Sequence, residues 1–123
     1  MIMEDANNLS VADADFAWNS LLNQLETLVG KRPSDLNSVL FLIGIQELGR
    51  GPKRFSKEQK QDLLHIGVCR VMSLSGYYAF DGYDADGWPM WTLLKPIPQA
   101  GLLAQEDLIK SNVVQYFEQL LSI

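Results

Sequence analysis

The residues of this chain whose types and spacing could do chemistry lie in a few short stretches, and the first is acidic. Asp81, Asp84 and Asp86 stand close together and are followed at once by Gly87. Carboxylates interleaved with small residues invite a calcium reading, because hard cations take oxygen ligands from such loops. Laid onto an EF-hand loop, Asp84 and Asp86 fall on the third and fifth positions and Gly87 on the sixth. The first position is then Gly82 and the last Leu93, where the motif needs carboxylates. Two principal ligands are missing, so no metal site is expected. The stretch reads as an acidic hairpin turn, for which Asp and Gly are the natural residues.

A second set is Asp62, His65 and Cys69, spaced so that one side of a helix would carry all three. A thiolate assisted by imidazole, or the seed of a metal site, could use that spacing. His65 and Cys69 are the only histidine and the only cysteine, so nothing of their kind completes a tetrahedral site. The plainer expectation is a half-buried histidine over its own turn and a buried cysteine acting as a small apolar residue. No catalytic residue is assigned and no cofactor is implied.

The third set is basic. Arg50, Lys53, Arg54, Lys57 and Lys60 gather around a helix start, where amide dipoles and cations together can hold an anion. These five are the anion-contact candidates, with a solvated basic loop as the plain alternative. Nearby, Gly44 to Gly51 superficially echoes a phosphate-binding loop. It lacks a preceding strand, the phosphate-reaching Lys and the magnesium-binding Ser or Thr, and is rejected.

Aromatic residues supply the last set. Gly76 to Trp91 holds six of the chain's twelve aromatics. Tyr77, Tyr78, Tyr83, Trp88 and Trp91 are the interface candidates, since Trp and Tyr dominate interaction hot spots. Most are expected to pack inward, but alternation along a strand sends neighbours to opposite faces and so exposes some.

The elements that must position these groups are legible from periodicity and punctuation. Ser10 looks like an N-cap for a first helix, with residues 1–9 frayed before it. Phe16, Leu21, Leu22, Leu25, Leu28 and Val29, with Trp18, form its apolar face, and Gly30 and Pro33 end it. Ser34 or Asp35 caps a second helix from Leu36 to about Leu48, apolar all round and therefore expected to be the buried central one. Gly44 inside it costs about 1 kcal/mol of helix propensity, which a close approach by another helix would justify. Gly49, Gly51 and Pro52 stop it. Ser56 and Gln59 form a capping box that opens a third helix to about Leu74, closed by Gly76. A β-hairpin at about 77–94 turns through Asp84–Gly87, its second strand an edge or one that starts after Pro89. A last helix from Leu102 to Leu121 carries Ile109, Val113, Tyr116, Phe117 and Leu120 on one face. The fold class is thus mainly α, an α+β architecture of about four helices with an aromatic hairpin between the third and the last.

Composition sets outer bounds. The 123 residues suit one domain, from residue 10 to the end, that needs neither metal nor disulfide to hold it. The formal net charge is −5. Residues 1–30 carry five acids and no base, whereas residues 31–60 hold seven of the ten bases. The acidic total argues against a general nucleic-acid binder, while the basic middle leaves a local anion contact open. The acidic start lacks the pattern of a secretory signal, and no apolar run approaches the ~20 residues of a membrane span. A cytoplasmic location away from membranes is the expectation.

Taken together, Phe41–Gly49, Phe55–His65 and Gly87-Trp-Pro-Met-Trp91 resemble a family of short uncharacterised bacterial proteins, over roughly residues 36–96. That resemblance implies a small bacterial protein and brings no activity or site residues with it. The residues themselves favour a protein-interaction or structural module over an enzyme, acting on a protein partner or as a homodimer. The alternatives are an anion- or nucleic-acid-contacting accessory protein using residues 50–60, and a small enzyme or ligand-binding domain using His65.

Overall fold

Helix-start signals act where the sequence puts them. In the computed structural model, which describes residues 11–51, 53–98 and 101–121, Asp35 accepts the Ser38 N–H at 2.9 Å and opens α2, Leu36–Leu48. Hydrogen bonds from the Ser38 hydroxyl and then its N–H hold the Asp35 carboxyl below its usual range. Ser56 Oγ accepts the Gln59 N–H at 3.1 Å and Gln59 Oε1 accepts the Ser56 N–H at 2.9 Å, which opens α3, Lys57–Ser73. Gly49, at φ +74°, ends α2 by donating back to the Ile45 carbonyl. Helix α1, Val11–Val29, precedes this pair, and α4, Leu102–Leu121, closes the chain. The N-cap expected at Ser10, the fraying expected of residues 1–9 and the stop at Pro52 lie outside the described residues.

Between α3 and α4 stand β1, Tyr78–Tyr83, and β2, Pro89–Leu93, paired antiparallel. The architecture is therefore the four helices and aromatic hairpin that the sequence implies. No described helix is long and apolar enough to cross a membrane.

Gly44 is explained by a reciprocal contact. A β-carbon at Gly44 would lie 2.1 Å from the Leu63 carbonyl oxygen, and one at Gly67 would lie 2.2 Å from the Leu40 carbonyl oxygen. Each glycine thus meets the carbonyl one turn before the other glycine, so α2 and α3 cross antiparallel with backbone against backbone. No larger residue fits at either position unless the helices move apart.

That crossing changes which helix is central. The expected centre was α2, yet α3 is the element packed against α2, α4, β1 and β2. Phe41, Leu42 and Ile45 of α2 keep partial exposure, while Val39, Leu40 and Ile43 enter the main core. A second small cluster, Leu48, Phe55 and Leu63, forms beside the α2–α3 linker. Polar ties join the helices across the core. The Tyr116 hydroxyl donates to Glu47 at 2.8 Å, and Arg70 pairs with the same carboxylate at 3.4 Å while lying over the Tyr116 ring. Burial first, and the Glu47 contact next, hold the Tyr116 phenol well above its usual range. Buried Asn112 of α4 accepts from the Ser75 hydroxyl at 3.1 Å.

The outer helices depart from expectation. Leu21, Leu22 and Leu25 are buried, but Phe16 is 74% exposed, Leu28 63% and Val29 51%. Helix α1 packs chiefly against α4, and one neighbour covers only a narrow stripe of a broad apolar face. Phe16, with Leu21, Val114, Phe117 and Leu121, lines an open groove of about 400 Å³. Leu120, expected on the packed face of α4, is 45% exposed for the same reason.

Glycine-to-alanine changes test the crossing with an unusual sign. Helix propensity alone makes Gly44→Ala or Gly67→Ala stabilising by ~1 kcal/mol. The backbone contact makes each destabilising, by about 2–3 kcal/mol or more, as overpacked cores are. Urea unfolding of the two variants should show lower midpoints than the parent, and raised midpoints would refute the close approach.

Candidate functional site

The hairpin is organised by one carboxylate. Asp84 Oδ1 accepts the N–H groups of Asp86 and Trp88, each at 2.9 Å, and the Gly87 N–H closes the turn on the Asp84 carbonyl at 3.0 Å. This is a side chain imitating a backbone turn, with Gly87 at φ +83° completing it. Below the turn, Phe80 pairs with Trp91 but Tyr83 pairs with Pro89, so β1 carries one more residue than β2 at this point. The extra residue is a β-bulge at Asp81–Gly82, with Gly82 at φ +89°.

The bulge has a chemical result. Phe80 and Tyr83 would face opposite ways on a regular strand, whereas here their rings meet edge to face at 5.2 Å. Phe80 also meets Trp91 at 5.5 Å. A three-ring group results, with Phe80 50% and Tyr83 63% exposed, and Leu93 and Leu94 exposed further along the ladder.

The remaining interface candidates are more deeply committed. Trp88 is half-buried against the Leu48–Phe55–Leu63 cluster. Beside it Arg50 donates to the Asp86 carbonyl, so the turn is tied to the α2–α3 linker. Tyr78 packs edge to face on His65, and Tyr77 lies under Lys95 at 4.6 Å. Trp91 is half-buried with its indole N–H buried and unpartnered. Sequence reasoning passed over Phe80, Leu93 and Leu94. The signal for Phe80 was available, because an isolated Gly82 within a strand pattern marks a bulge and a change of face.

The second candidate set divides. Asp62 and His65 line an open cleft of about 450 Å³ between α3 and the turn, together with Asp84, Asp86, Trp88 and Pro89. Cys69 is fully buried behind them, its Sγ 3.4 Å from His65 Nε2. Burial pushes its thiol up to about 11, against a smaller opposing effect of the hydrogen bond with Tyr78. The cleft therefore presents an imidazole and carboxylates to solvent, while the thiol is protonated and shut off near neutral pH. Among the described residues no group of three or more His, Cys, Asp or Glu is arranged to hold a metal ion.

The basic set is partly spent on the fold. Arg50 holds the turn, and the Lys53 ammonium sits 5.8 Å from the Phe55 ring. The capping box has already used amides at the start of α3. Arg54, Lys57 and Lys60 remain exposed.

No family model, curated protein or solved structure matches the chain.

Cys69 yields a pH prediction. Its folded value of about 11 lies above the ordinary 9.0, so the unfolded chain releases the proton first and stability falls as pH rises between those values. Urea midpoints should decline over that window more steeply for the parent than for Cys69→Ala. Equal declines would show that the thiol is not the group responsible.

Proposed function

We propose that this protein is an interaction module that docks a protein partner on the aromatic face of its hairpin, rather than an enzyme. One observation carries the reading. The bulge at Asp81–Gly82 gathers Phe80, Tyr83 and Trp91 into a single group and leaves Phe80 and Tyr83 half or more in solvent. Large aromatic surface held on a short sheet is the material of interaction hot spots, and a regular strand would have divided these rings between two faces. Tyr77, Tyr78 and Trp88 are partly buried against the helical core and contribute less to the exposed surface.

The alternatives draw less from the geometry. A phosphate-contacting role keeps the exposed Arg54, Lys57 and Lys60, while Arg50 and Lys53 have intramolecular partners and the capping box occupies amides at the start of α3. A thiol-dependent activity of His65 and Cys69 would need a thiolate that burial disfavours.

Site-specific photocrosslinking in the producing cell tests the docking face. A benzophenone side chain at position 83 is expected to give discrete protein adducts, and one at exposed Gln46 on α2 none of the same mass. Phe80→Ser, introduced into the protein that carries the benzophenone at position 83, should abolish those adducts. No adduct at position 83, or the same adducts from position 46, would overturn the reading.

A further inference from the structure

The hairpin carries exposed charge as well as rings. Tyr83 is followed at once by the turn that holds Asp84 and Asp86, both exposed. No ion pair engages either carboxylate among the described residues, the two ion pairs there being Arg70–Glu47 and Lys110–Glu106. Arg50, which is tied to the turn, donates to the Asp86 backbone carbonyl and forms no ion pair with either carboxylate. Asp84 Oδ1 is occupied by two backbone N–H groups. At the far end of the ladder Lys95 is folded over the Tyr77 ring. The exposed Tyr83 ring is thus followed directly in the chain by two exposed carboxylates that form no ion pair among the described residues.

We infer that the occupant of this face is a basic protein segment, which places Lys or Arg side chains over the Tyr83 and Phe80 rings and against Asp84 and Asp86. This rests on the docking role proposed above and names the partner's chemistry. The rings attract a cation through their negative faces, and the carboxylates add Coulomb attraction at the same spot. Other occupants meet repulsion. A second copy would bring its own Asp84 and Asp86 toward these, on a chain whose net charge is already −5. Nucleic acid and anionic lipid would bring phosphates to the same carboxylates.

Selection of random linear peptides displayed on phage, panned on the purified protein and counter-selected on the Phe80→Ser/Tyr83→Ser double variant, tests this. Circular dichroism and urea unfolding of each variant confirm that it folds. The peptides that distinguish parent from double variant are expected to be enriched in Lys and Arg. Their affinity should fall about threefold to tenfold in Asp84→Asn/Asp86→Asn, the scale of two exposed ion pairs, and should fall again as salt is raised. Asn keeps the side-chain oxygen that the turn needs at position 84. Selected peptides without basic enrichment, or with affinity unchanged in Asp84→Asn/Asp86→Asn, would overturn the basic partner and leave the docking face standing. Failure of any peptide to distinguish the parent from Phe80→Ser/Tyr83→Ser would overturn the docking face itself, and this inference with it.

Discussion

The backbone contact between α2 and α3 is the constraint on which the other arrangements depend. With Gly44 against the Leu63 carbonyl and Gly67 against the Leu40 carbonyl, the two helices cannot slide or separate without losing a contact that side chains do not mediate. Close packing resists such adjustment, because an interior at crystal-like density has no spare volume to absorb it. The crossing fixes how α3 is rotated about its own axis. That rotation decides which residues face α4, which meet the strands and which line the cleft beside the turn. His65 reaches the cleft and Cys69 the interior because both are carried by a helix whose orientation is set at Gly67.

Polar contacts confirm rather than create this arrangement. The Glu47 carboxylate receives both Tyr116 and Arg70, so one acid on α2 is shared by a residue on α4 and one on α3. A partly buried charge is costly when it loses its partners. The three helices therefore have one relative placement in which Glu47 is satisfied. The Ser75–Asn112 bond fixes the join of α3 and α4 in the same way, around a fully packed amide.

How much was legible in the sequence follows from the range of each signal. Caps at Asp35 and Ser56, the stop at Gly49 and the turn at Asp84–Gly87 rest on neighbours a few residues away, and the structure places them there. Gly44 was readable as a site of close approach, yet its counterpart Gly67 was not, since nothing local marks which glycine of a distant helix will face it. Periodicity places Phe16, Leu28 and Leu120 inward because it reports a face and not the number of neighbours available to cover it. The tie between Arg50 and Asp86 spans thirty-six positions, and no local pattern announces it. The candidate site was legible as an aromatic stretch with an acidic turn. Its exposed members depended on the bulge, which follows from one glycine whose register effect becomes clear only when both strands are paired.

The anchoring of the turn has a consequence for thermodynamics. A two-stranded sheet held only at its base would lose conformational freedom when a partner settled on it, and that loss would subtract from the affinity. This hairpin is fastened at the tip as well, by Trp88 in the Leu48–Phe55–Leu63 cluster and by Arg50 on the Asp86 carbonyl. Its surface is consequently preorganised. Ordering entropy is spent when the chain folds, so the proposed partner would meet rings already in place. Loosening the tip from behind would weaken binding without altering a single residue that the partner touches.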